Sequence, residues 1–274
     1  MEIFQYDFMI KAFIVGILLA VIIPCIGIIV VLKRLSMIGD ALSHSSLAGV
    51  AAGLVMGINP IVGAVVTCIA AALGIEAIRK KIPKFSEMSI AIVMSAGIGL
   101  AGVLSGFIKN AANFNSFLFG SIVAISDFEL LLVIGISCAV LLAFVLLYKE
   151  LFYVAFDERA ARLAGVPVKV INFIFTILTA ITVSVAARTV GALIVSSLMV
   201  VPVACAMQLG KSYKQTVLYS VCFAVGFTVI GLFVSYYARL RPGATIVLVG
   251  VICLLLILLV KWVVELSLRS KSAA

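Results

Sequence analysis

Residues 31–60 read VLKRLSMIGDALSHSSLAGVAAGLVMGINP, and the fold follows from how this stretch is placed. Lys33 and Arg34 close one apolar run, and a second run follows that carries the chain's single histidine. His44 lies four residues after Asp40, one helical turn, so the carboxylate and the imidazole project from the same helix face and can grip one cation. Ionisable groups at membrane depth are costly and mark function by default. Ala41, Ser45, Gly49, Gly53 and Gly57 recur at four-residue spacing in the same segment. Small residues in that register let a second helix approach backbone to backbone, so Gly49, Gly53 and Gly57 read as helix-packing positions.

Outward from this segment the chain is mostly hydrocarbon. Of 274 residues, 65% are hydrophobic and 11% charged, far from the balance of a soluble domain. Apolar runs long enough to cross about 30 Å of lipid fall at 10–32, 37–57, 60–79, 88–108, 128–148, 168–187, 190–209, 215–237 and 244–264. One of the nine reads as broken or re-entrant. The expected fold is all-α, a polytopic bundle of eight or nine transmembrane helices, in one domain covering 1–274. The opening MEIFQYDF carries two acids and no basic leader, unlike a cleavable signal peptide.

The net charge of +9 reports topology, not nucleic acid. Basic residues cluster at alternate span ends, as in Lys33–Arg34, Arg79–Lys81 and Lys211–Lys214, whereas the opposite ends carry only Lys11, Lys109, Arg188, Arg239 and Arg241. The positive-inside pattern puts the amino terminus outside and the carboxyl terminus in the cytoplasm, with anionic lipid as a neighbour. The six cysteines stand singly and read as buried hydrophobes. Arg188, Arg241 and Trp262 read as interfacial anchors; Phe114, Phe117 and Phe119 read as an aromatic belt at the outer mouth. Pro202 breaks a backbone hydrogen bond in mid-span, as a kink or a gate.

Two further segments carry chemistry. GKS at 210–212 lacks the glycine of a phosphate-binding loop five residues before Gly210, where Cys205 stands; ATP, if used, is bound by another chain. Within 149–169, Asp157 is placed to cap a short helix that Gly165 and Pro167 end. That piece is either a surface turn or a docking element on the basic side. From the residues alone, Asp40 and His44 either satisfy each other or bind metal. Oxygen and nitrogen donors suit zinc, manganese or iron(II), and the lack of paired cysteines argues against copper(I). A self-contained secondary carrier using Asp40 as a proton or ion relay is the rival, though neither inverted repeats nor several intramembrane acids are evident. An enzyme is disfavoured because there is no second histidine or catalytic constellation.

Taken together, 31–60, FLFGSIVAIS (117–126), YKELFYVAFDERAARLAGVP (148–167), GALIVSSLMVVPVACAMQL (191–209) and RPGATIVL (241–248) resemble the zinc/manganese/iron class of ABC importer permeases nearly end to end. The resemblance implies that Asp40 and His44 contact the transported metal. It implies a second permease copy in a homodimer, two cytoplasmic ATPase subunits and an extracytoplasmic metal-binding protein. It also implies a bacterial plasma (inner) membrane location, no covalently bound cofactor and no enzymatic site of its own. Importer permeases often carry E-A-A-x-x-x-G in the loop that engages the motor. Ala160, Ala161 and Gly165 match it; Asp157 and Glu158 flank it, with Arg159 where the glutamate would be. Manganese members often have proline where this chain has Ala48, so SLAG points to zinc.

Overall fold

A computed structural model describes residues 6–82, 85–108, 127–192 and 194–272, with side chains as far as Leu266. Among them are eleven helices and no strand. They are α1 (Asp7–Leu32), α2 (Ile38–Met56), α3 (Pro60–Lys81), α4 (Ser86–Ser105), α5 (Asp127–Leu146), α6 (Tyr148–Phe156), α7 (Glu158–Leu163), α8 (Val168–Thr189), α9 (Val195–Leu209), α10 (Tyr213–Ala238) and α11 (Pro242–Ser272). The aromatic positions Phe114, Phe117 and Phe119, and the 117–126 segment, lie outside the described residues.

Seven helices are long and apolar enough to cross a membrane: α1, α3, α4, α5, α8, α10 and α11. Among the described residues, two of the expected runs fall outside this set. The run at 37–57 forms α2, but Asp40, His44 and its serines dilute its apolar character. The run at 190–209 yields only the 15 residues of α9, about 22 Å of helix against about 30 Å of hydrocarbon. Before it the chain bends at Gly191, with φ 111°. The sequence also concealed α6, an extra short helix before the capped one.

The helices sort by how they are buried. Helix α1 is apolar all round and sits inside the bundle, with Leu19, Ile22, Ile23, Ile26, Ile28 and Ile29 fully buried, as expected of a helix without a polar face. Helix α11 is equally apolar but presents Leu255, Leu256 and Leu259 outward. Cys138 and Cys222 also lie on exposed faces, unlike buried Cys25, Cys68 and Cys205.

Close backbone contacts hold the frame where lipid supplies no hydrophobic drive. Helix α2 is held between α3 and α4. A side chain on Gly49 would collide with the Gly63 carbonyl and the Thr67 hydroxyl of α3, and one on Gly53 would meet Pro60 Cα at 3.0 Å. Thr67 Oγ1 donates to the Ser45 carbonyl at 3.0 Å. Across α2, Gly97 of α4 lies against the backbone of His44 and Ser45. Gly57 differs: it caps α2 at φ 70° with nothing within 4 Å, so its place is a left-handed turn and not a contact.

Candidate metal site and cytoplasmic connection

Asp40 lies in the first turn of α2 and His44 one turn on; both are half-buried. Gly39 seats this turn against Ser196 of α9, whose Cα would lie 3.1 Å from a Cβ at that position. The Ser196 hydroxyl donates to Asp40 Oδ1 at 2.6 Å. Ser196 is the second residue of α9, so the carboxylate faces the positive end of a helix that starts inside the bundle. Thirteen residues separate Ser196 from Leu209 at the Lys211–Lys214 end of α9, or about 20 Å along the axis. That contact packs the Asp40 turn against the start of α9. Beyond His44, Leu47, Ala48, Ala51 and Ala101 form a small apolar cluster with Leu104 and Ile108.

Among the described residues no group of three or more His, Cys, Asp or Glu side chains converges. Among the described residues, Asp40 and His44 place one carboxylate and one imidazole one turn apart on α2. The Asp40 hydrogen bond fixes one carboxylate oxygen and leaves the other available. Sequence reasoning missed Ser196, which is 156 residues from Asp40; the signal was the polar pair Ser196 and Ser197 inside the apolar 190–209 run.

On the basic side, 148–167 folds as two helices. The Asp157 carboxylate accepts from the Arg159 amide at 2.8 Å and the Ala160 amide at 3.1 Å, capping α7. These bonds hold the Asp157 carboxyl below the usual range. At the other end, the Val166 amide donates to the Ala161 carbonyl at 3.0 Å and the Gly165 amide to Arg162 at 3.2 Å, with Gly165 at φ 83°. This is a Schellman ending. Ala161 is buried; Asp157, Ala160 and Gly165 are exposed.

Glu158 turns inward. Its Oε1 accepts from Asn172 Nδ2 at 3.0 Å and from Lys33 Nζ at 3.3 Å, and Lys33 Nζ also donates to Asn172 Oδ1. Burial pushes Glu158 up, but the Asn172 amide and the Lys33 charge outweigh it and hold the carboxyl below its ordinary value. For Lys33, just past α1, burial is the stronger influence and pushes the ammonium down despite Glu158. The difference follows exposure, 7% for the Lys33 side chain and 42% for Glu158. Beside this cluster opens a polar cavity of about 510 Å³ lined by Glu76, Arg79, Arg162, Lys169 and Asn172.

One sequence assignment changes and one stretch gains a structural place. Arg188 is not simply an interfacial anchor, since its guanidinium pairs with Glu129 of α5 at 2.8 Å. The GKS stretch leads into a helix: Ser212 caps α10, its hydroxyl accepting from the Gln215 amide at 3.4 Å.

With this geometry in hand, comparison with known proteins is direct. The pattern of the ABC 3 transport family matches residues 5–261. The chain belongs to that family. It is 36% identical over 256 residues to the "Probable metal transport system membrane protein" of Treponema pallidum, covering 93% of this chain and 96% of that protein. It is 34% identical to the manganese transport system membrane protein MntC of Listeria monocytogenes, covering 90% and 89%. Among solved structures, PsaBC from Streptococcus pneumoniae in complex with Fab superposes with a TM-score of 0.84 at 28% identity, covering 93% and 92%. The chain is thus a metal-ion ABC permease, a multi-pass membrane subunit and not an enzyme, with ATP hydrolysis on a separate component.

Proposed function

We propose that this permease imports a divalent transition-metal ion, passing it between Asp40 and His44. The observation that carries the reading is the Asp40–Ser196 hydrogen bond, which holds a half-buried carboxylate one helical turn from the histidine. Two permease copies would bring two aspartates and two histidines to one pathway. A site assembled that way, with water completing it, binds weakly enough to release its ion. An extracytoplasmic metal-binding protein delivers the ion to the end opposite Lys33, with the amino terminus outside. The location is the bacterial plasma membrane.

Helix α7 is proposed as the element that docks on the ATPase. It is capped at both ends, stands on the basic side and exposes Leu163, 91% accessible, next to Phe156 of α6, 78% accessible. Exposed apolar side chains on a polar end favour a protein partner. Asp157 and Gly165 set its ends, Ala160 and Ala161 its small faces, and Glu158 its tether. As cargo, manganese is supported by the names of the MntC and ScaB relatives, and zinc by Ala48 in place of the proline frequent in manganese members. We place manganese first.

The test is uptake into vesicles holding the permease with its ATPase and binding protein. ATP-dependent manganese uptake that zinc at equal concentration fails to abolish supports this cargo; dominant zinc uptake selects the second. Uptake driven by a proton gradient without the ATPase would establish the carrier alternative.

A further inference from the structure

Lys33, Glu158 and Asn172 join three parts of the chain that are far apart in sequence. Helix α7 has six residues and buries only Ala161; its polar hold on the bundle is Glu158, shared between Lys33 at 3.3 Å and Asn172 at 3.0 Å. Lys33 also lies 5.7 Å from the centre of the Phe175 ring on α8. Its side chain is 7% exposed, so it is enclosed on the α8 side by Phe175 and Asn172 and on the α7 side by Glu158. From α3, the Arg79–Glu76 pair, 2.9 Å apart, adds the remaining nearby charges.

The chain leaving Lys33 has little slack. Arg34 stands at φ 56°, a left-handed conformation costly for any residue that carries a Cβ. Leu35 is buried, its amide donates back to the Val30 carbonyl at 2.9 Å, and its carbonyl accepts from the Ile38 amide at 2.8 Å. Helix α2 begins at Ile38, and Asp40 is its third residue. Six residues, the bonded turn 34–37 and the first two of α2, therefore connect the Glu158 partner to the proposed metal ligand.

We infer that Lys33 is the pin through which displacement of α7 is transmitted to the Asp40 turn. Lys33 is a positioning residue here: it touches no metal, and it acts through the turn that sets α2. This rests on the reading of α7 as the ATPase-docking helix. It also accounts for the departure from the importer motif. The acid sits at 158, where the helix faces inward to Lys33, and the motif position is taken by exposed Arg159.

The experiment uses the permease reconstituted with its ATPase and binding protein, with manganese as probe, and reads ions transported per ATP hydrolysed. Lys33→Met is expected to keep hydrolysis and lower that ratio about tenfold, within the range of ordinary allosteric coupling. Lys33→Arg is expected to retain it. Manganese binding to the nucleotide-free complex stays unchanged, because Asp40, His44 and Ser196 are intact, whereas the affinity change between nucleotide-free and ATP-trapped states is lost. If Lys33→Met does not assemble, Glu158→Gln carries the same test, since its amide oxygen still accepts a hydrogen bond without the charge. A ratio equal to wild type in the assembled variant overturns the inference, as does loss of nucleotide-free binding together with unchanged coupling. A wild-type complex without ATP-driven uptake would instead sink the transport reading, which separates the two failures.

Discussion

A hydroxyl that donates to one carboxylate oxygen narrows the rotamers of Asp40 and leaves the second oxygen for another partner. Partners of this kind, one step removed from a metal, change affinity about 10- to 100-fold when lost. Ser196→Ala is accordingly expected to weaken manganese binding about tenfold, and Ser196→Thr to restore most of it; equilibrium binding to the purified complex measures both. Asp40→Ala and His44→Ala are expected to abolish uptake while assembly and basal ATP hydrolysis persist. Normal uptake by either variant at limiting metal would remove it from the pathway. At this scale the sequence disclosed Asp40 and His44 because four residues make one turn. It did not disclose Ser196, because a contact spanning 156 residues leaves no periodicity to read. Nor did it disclose that Glu158 faces inward, which depends on where the Asp157 cap starts α7.

Helix contacts and caps follow backbone geometry more than hydropathy. A leucine at Gly49 would have to displace the Gly63 carbonyl, which is backbone and cannot swing away. Overpacking of this kind costs about 1–3 kcal/mol or more, so Gly49→Leu is expected to give little assembled complex on size-exclusion chromatography, with Gly53→Leu less severe. Gly57→Ala tests a different cost, that of the left-handed cap, about 1–2 kcal/mol. Gly165→Pro would fix φ near −65° where the chain needs 83° and remove the amide that bonds to Arg162. Metal should still bind, while ATP hydrolysis separates from uptake; full coupled transport would clear α7 of any role. The Glu158 tether also has a pH signature. Its folded pKa is lowered, so the stability it adds is complete above the ordinary glutamate value of about 4.3 and is lost only as pH falls through the lower folded value. Coupling should be flat between pH 6 and 8 if Glu158 alone is considered, and a midpoint within that window would exclude Glu158 as its source. The seven long spans were legible because hydrocarbon thickness sets their length. Helices α2 and α9 fall short of that length or apolar character through a polar face and a bend at Gly191, which do not interrupt an apolar run in the sequence.

At the scale of the molecule, the described residues of one chain bring together no more than two candidate donors, and a transition-metal ion ordinarily takes about four or more. The shortfall has two resolutions. Each permease could guide its ion past two side chains and water, or two copies could face one pathway and pool Asp40 and His44 from both. The bundle's exterior does not separate these, because exposed leucines on α11 look the same against lipid and against a partner helix. A mixed complex does separate them. Wild-type and Asp40→Ala permeases, co-expressed with different tags and isolated by sequential capture, give assemblies with one intact copy. If the copies pool their donors, one missing carboxylate damages the only site, and uptake per complex should fall close to that of the doubly substituted assembly. If each copy runs its own path, half the wild-type rate remains. We expect the first outcome, with manganese binding to the wild-type complex saturating at one ion for every two permease chains. A half-active mixed complex that binds two ions would assign a separate route to each chain, and the pooled site would have to be abandoned.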